Sequence, residues 1–375
     1  MQRLVLHIGT EKTGTSTIQR FLHSNRDRLL ADGWTLPRSL GEPDQRQLAA
    51  LCNDDAFVDA FLRRRGLADS RMRSKARTTW SDAFAKELAA ATTPNMVISS
   101  EHLSSRLFTP TEMERVQQFL TPHFERIDIV VLLRDPLAAA LSLVSTQVQT
   151  GYTRGSLPPP PTTWGEGNDR SWISVCDHRQ TLQRWEAAFP GRLTVRLFER
   201  DGLAGGSILT EMRTILGLRN TSEYAEPART NESLSANGIA LLAALNARIP
   251  IFVDGQPNRY RGELSAWVAR FLRSGERLTA TPEQRAAYAT AFAESNEWVR
   301  ATYFPERTTL FSPTPPSQHD RTPSQALTEE EIEDIAELIA GLWKMQAGQR
   351  NQSSVLGRVG RQLRLIGKRA GFKTT

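Results

Sequence analysis

The chain has 375 residues, 39% of them hydrophobic and 23% charged, with a formal net charge of +6. That length and apolar content fit one large α/β domain or two ordinary ones, and no apolar run reaches the roughly 18 residues of a membrane span. Two cysteines, Cys52 and Cys176, exclude a disulfide framework and a cysteine-built zinc site, and fit a reducing cytoplasm.

Residues 2–7 read as a strand. Leu4-Val5-Leu6 passes directly into Gly9-Thr10-Glu11-Lys12-Thr13-Gly14, so no cleavable leader is expected. Residues 15–31 read as a helix with Ile18, Phe21, Leu22 and either Leu29 or Leu30 on one face, ended by Gly33. Residues 44–92 read as a mainly helical insertion. A buried strand follows at 96–100, a helix opened by Thr109-Pro110 at 109–124, and a strand at 127–133. A helix at 137–149, ended by Gly151, precedes a fourth strand at 193–198. Strands alternating with helices predict an α/β domain over 1–311, its central parallel sheet flanked by helices. Ligands of such sheets bind at the carboxyl ends of the strands. The proline-rich stretch 156–169 is expected to be a loop that shapes the site. Residues 312–326 read as a linker. Residues 327–375 read as a helix to about Met345, opened by a Thr328–Glu331 capping box, and then a basic tail.

The positive charge belongs to that tail. No Asp or Glu follows Glu337, whereas Lys344, Arg350, Arg358, Arg361, Arg364, Lys368, Arg369 and Lys373 do. These eight cations leave −2 for the rest of the chain. A nucleic-acid binder is therefore not expected; the body lacks both the charge and a stacking-aromatic pattern. Val355, Val359, Leu363 and Ile366 would share one helical face beside Arg358, Arg361, Arg364 and Lys368. The tail either frays into solvent or rests weakly on an anionic membrane surface, and Gly357, Gly360 and Gly367 weaken any helix.

Two stretches carry the chemistry. Strand, glycine-bounded loop, helix is how a chain builds an oxyanion cradle: glycines turn backbone N–H groups inward, and the helix adds its positive end. Lys12 supplies a charge, and Thr13, Thr15, Ser16 and Thr17 supply hydroxyls. The Gly9 to Gly14 spacing is that of a nucleotide P-loop. There, however, the lysine follows the second glycine, and here Thr15 occupies that position. An oxyanion grip survives that change; a Mg²⁺-bearing arrangement is put in doubt. A bare βα turn is the plain alternative. In the second stretch, "VVLLRDPLAAALSLVSTQVQTG", Arg134 ends a strand and Ser142 lies about two turns into the next helix. A guanidinium fork and a hydroxyl suit a terminal phosphate. Alternatively, Arg134-Asp135-Pro136 is only a salt-bridged helix start.

"HIGTEKTGTSTIQ" resembles the 5′-phosphosulfate loop of sulfotransferases that use 3′-phosphoadenosine 5′-phosphosulfate (PAPS), particularly bacterial carbohydrate sulfotransferases. The resemblance is specific at this loop and at the Arg134 stretch, and loose elsewhere. It implies a P-loop NTPase-like sulfotransferase fold, transfer without a metal, and a carbohydrate or glycan acceptor. It assigns cofactor binding to Gly9, Lys12, Thr13, Gly14, Thr15, Ser16 and Thr17. It assigns the 3′-phosphate to Arg134 and Ser142, with Arg229 as a further candidate.

Sulfuryl transfer to a hydroxyl needs a base and positive charge at the leaving group. "MVISSEHLSS" offers Glu101 first and His102 second as the base, and Lys12 serves the leaving group. Ser99, Ser100, Ser104 and Ser105 are candidates to line the acceptor site, and His7 reads as a packed strand residue. The six histidines show no ligand spacing, so no metal is expected. The competing function is a P-loop NTPase or small-molecule kinase, which would need Mg²⁺ and ATP. The expected location is the cytoplasm, with peripheral contact at the inner membrane face through the tail.

Overall fold

A computed structural model describes residues 1–161, 169–219, 221–228, 233–271 and 276–312, and all of 332–346 except 334, 338 and 345. The chain divides into two compact units: residues 1–143, 157–231 and 279–317, and residues 144–156, 232–278 and 318–375.

The first unit is built on five parallel strands in the order β2-β3-β1-β4-β5: β1 (Arg3–His7), β2 (Trp34–Thr35), β3 (Asn95–Ser99), β4 (Arg126–Leu133) and β5 (Leu193–Leu197). β1 lies between β3 and β4, with His7 opposite Ser99 on one side and Val130 on the other. Seven of the eight residues of β4 are buried, the continuous apolar pattern of a strand covered on both faces. One face of the sheet, with Val5, Val97, Val130 and Leu132, packs on α1 (Thr15–Ser24), α2 (Arg26–Ala31) and α11 (Ile208–Leu216) through Ile18, Phe21, Leu29 and Met212. The other, with Leu4, Leu6, Ile98, Ile129 and Val131, packs on Val116 and Trp185. Those two residues belong to α7 (Pro110–Leu120) and α10 (His178–Ala188).

The expected strands are all present, with the short β2 added. The helix expected over 15–31 is broken at Asn25, whose side chain donates to Phe21 O and Ala225 O and accepts from Ala225 N. The helix expected over 109–124 stops at Leu120 and gives way to a 3₁₀ turn over Thr121–His123. Its start is the expected Thr109, which forms a capping box with Glu112. The insertion over 44–92 holds α3 (Arg46–Cys52), α4 (Ala60–Arg64) and α5 (Ser70–Ala90). Between β3 and α7 comes α6 (His102–Arg106), and after β4 comes α8 (Pro136–Gln149). α9 (Asp169–Cys176) precedes α10, and α14 (Pro282–Tyr303) packs on α10.

The second unit holds α12 (Ala236–Arg248), the β6 (Phe252–Val253) and β7 (Gln256–Pro257) hairpin, and α13 (Leu264–Phe271). The buried Asn246 on α12 donates to Val148 O and Tyr152 O at 2.8 and 2.6 Å. The described residues of 332–346 are helical. Thr328 and Glu331, most of the linker, residues 162–168 of the proline-rich loop and the basic tail lie outside the described residues. Both cysteines are free and buried, and among the described residues no helix is long and apolar enough to cross a membrane.

Candidate active site

Because β1 is central, the loop that leaves it is flanked by the ends of β3 and β4. Pairing with β4 runs on into the loop: Ile8 N reaches Val130 O, Thr10 N reaches Leu132 O, and Leu132 N reaches Gly9 O. The chain then turns sharply, with Gly9, Lys12 and Gly14 at φ of 93, 68 and 78°. Glycine is required at both ends. A Cβ on Gly9 would lie 2.9 Å from Cα and Cβ of Glu101, and one on Gly14 would lie 2.7 Å from Ile208 Cδ1. Gly14 caps α1 without a side-chain hydrogen bond, and the first turn of α1 carries no acid. Thr17 N in that turn already reaches Gly14 O at 2.9 Å, and the start of the helix presents a positive end. Of the hydroxyls, Thr13 donates to Thr10 O at 2.6 Å and, like Thr10, is fully buried. Thr15 is buried, Thr17 is half-buried and Ser16 is exposed.

Arg134, just past β4, donates from Nη1 to Lys12 O at 3.0 Å and lies over the Phe198 ring. Two cations thus meet at one loop. Burial lowers the pKa of Lys12; Glu11 opposes that, Arg134 adds to it, and Glu101 opposes it. Burial also lowers Arg134, against the pull of Asp135. The Arg134 carbonyl accepts from His178 Nε2 at 2.7 Å, so that ring carries its proton on Nε2. Asp135 accepts from Ala138 N at 2.8 Å and so caps α8. Ser142 is half-buried on α8. Arg229 lies outside the described residues.

Across the loop, Glu101 follows β3 and opens α6. Its Oε2 accepts from Gln19 Nε2 at 2.6 Å. Gln19, nearly fully buried on α1, also reaches Ser99 O at 3.5 Å. His102 points its Nε2 toward Asp44 Oδ2, 3.7 Å away, and its Nδ1 is buried without a partner. Asp44, Glu101 and His102 set ligand-type atoms within 4.8 Å of one another. Among the described residues they are the group that could hold a cation.

A charged layer supports the loop. Arg106 Nη1 pairs with Glu11 Oε1 at 3.1 Å and donates to Ser171 Oγ at 2.6 Å, while its Nε faces Asp59 Oδ2 at 3.4 Å. Asp59 also pairs with Arg46 at 2.7 Å. Burial would raise the Asp59 carboxyl, but Arg46 and then Arg106 pull it down to about 2. Burial likewise works against the Glu11 charge, and Arg106 with His102 outweighs it.

The four serines expected to line an acceptor site do not. All are fully buried; Ser99 bonds His7 Nδ1 at 2.8 Å, and Ser104 and Ser105 donate to Glu101 O. Ser104 and Ser105 thereby bind the turn that carries Glu101, while Ser100 Oγ is buried without a hydrogen-bond partner. His7 is the packed strand residue expected, and burial lowers its pKa to about 3. Sequence reasoning missed Gln19, Asp44, Arg106 and Glu11. Gln19 and Glu11 had a signal, since both lie within or just after the loop stretch. Asp44 and Arg106 come from separate segments and had none. No family model, curated protein or solved structure matches the chain.

Proposed function

We propose that the chain is a PAPS-dependent sulfotransferase that moves a sulfuryl group to an acceptor hydroxyl of a carbohydrate or glycan, in the cytoplasm. The observation that carries this reading is the bond from Arg134 to the Lys12 carbonyl. It draws two cations to one glycine-bounded loop, and Glu101 packs against the same loop at Gly9. The fit to a phosphosulfate is chemical. Burial lowers the pKa of both cations, and an oxyanion beside them would offset the cost of holding them charged together. The uncapped start of α1 adds N–H donors for the same anion.

PAPS, when bound, supplies the activated sulfuryl group. Lys12 and Arg134 balance the negative charge of its phosphates, and the resemblance assigns Ser142 and the hydroxyls of Thr15, Ser16 and Thr17 to the same anion. Glu101 takes the proton of the acceptor hydroxyl. Gln19 holds Oε2, which leaves Oε1 for that proton, and His102 stands beside it as the second candidate. Asp135 is engaged in capping α8, which weighs against a kinase-like use of a carboxylate at the end of a strand. Incubation with sulfur-labelled PAPS and a panel of glycans in EDTA tests the proposal. Label in the glycan fraction is the expected result. No label there, together with Mg²⁺-dependent consumption of ATP, would favour the kinase reading.

A further inference from the structure

We infer that the second compact unit carries a docking surface for an anionic bilayer, formed by Trp267, Trp343 and Leu342. Trp267 is 43% exposed and Leu342 53% exposed. The Trp267 and Trp343 rings lie 6.0 Å apart, centre to centre. Trp343 is half-buried, and its Nε1 donates to Tyr260 O at 2.6 Å, so the polar edge of the indole is satisfied within the protein.

Neither exposed side chain is a leftover of loose packing. α13 buries Leu264 and Val268 and turns Trp267 outward. The helical residues of 332–346 bury Ile332, Ala336 and Ala340, a stripe at intervals of four, and Glu333 pairs with Arg248 of α12 at 2.7 Å. The apolar faces that fold the unit are therefore already covered, and Trp267 with Leu342 forms a separate surface.

Charge selects the occupant. Glu263 is exposed one helical turn before Trp267, and Lys344 is exposed directly after Trp343. Directly after Trp343 comes Lys344, and from there to Thr375 the chain holds seven more cations and no acid. A second copy would bring two such tails together and repel. An anionic bilayer attracts them and accepts tryptophan at its interface. The surface is independent of the transfer chemistry.

The test is co-sedimentation of the full chain with vesicles of phosphatidylcholine alone or mixed with phosphatidylglycerol. Binding to the mixed vesicles is expected, with little to phosphatidylcholine alone. The double substitution Trp267→Ser with Leu342→Ser should weaken that binding about tenfold or more and leave the melting temperature unchanged. No sedimentation with mixed vesicles would overturn the proposal, and so would equal binding by the double variant, which would assign the contact to tail charge alone. Should the double variant misfold, quenching of wild-type tryptophan fluorescence by bromine-labelled lipid reads the same contact. It should shrink in Trp267→Phe, and an absence of quenching would also overturn the proposal.

Discussion

Lys12 stands where a lysine is hard to keep charged: half-buried, with an arginine bonded to its own carbonyl. Burial is the first cause of its lowered pKa, and an anion is what would stabilise the protonated form. Because the shift is downward from 10.5, the free protein loses this charge at a lower pH than an ordinary lysine does. Affinity for adenosine 3′,5′-bisphosphate should therefore weaken progressively through the alkaline range, before that pH is reached. Calorimetric titration checks it, and constant affinity up to 10.5 would mean that Lys12 does not touch the ligand. Glu101 makes a different prediction. Glu101→Gln should keep bisphosphate binding and lose turnover by about 100-fold or more. Gln19→Leu, which frees Oε2, should lower kcat by about tenfold or more while leaving the KM for PAPS in place. Unchanged kcat in either variant would remove that residue from its role.

The elements matter because they bring these residues together from three crossovers. The β1 loop, the Arg134 turn and the four longer strands of the sheet were legible in the sequence, since glycines, a strand-end arginine and apolar runs are local signals. What was not legible depends on tertiary partners. Asn25 breaks the first helix because it bonds Ala225, about 200 positions away. Glu101 is oriented by Gln19 from another helix, and Ser104 and Ser105 point inward because the turn under Glu101 takes their hydroxyls. The β2 strand, two residues long, is too short to leave a pattern. The close approach of Gly9 to Glu101 yields an element-scale prediction. Gly9→Ala combines φ of 93° with a Cβ 2.9 Å from Glu101, so it should destabilise the fold by about 1–3 kcal/mol and weaken bisphosphate binding. Denaturant melts check the first effect, and wild-type stability would mean that the loop moves freely away from α6.

For the whole molecule, acid is the weak point of the first unit. His7 and His178 are fully buried, and burial lowers their pKa values from 6.5 to about 3 and about 4. The unfolded chain takes up these protons below pH 6.5 and the folded chain does not, so stability is lost as pH falls from 6.5 toward those values. Each histidine costs about 1.4 kcal/mol per pH unit in that window. The melting temperature should fall accordingly between neutral pH and pH 5, and His7→Asn should flatten part of the slope; a flat wild-type profile would contradict it. The central claim, that Lys12 and Arg134 together grip a metal-free phosphosulfate donor, is tested most directly by a thermal-shift titration in EDTA. The wild type should be stabilised by adenosine 3′,5′-bisphosphate, and Lys12→Ala and Arg134→Ala should each lose most of that response. Stabilisation by ATP with Mg²⁺ alone, or an undiminished bisphosphate response in both folded variants, would contradict it.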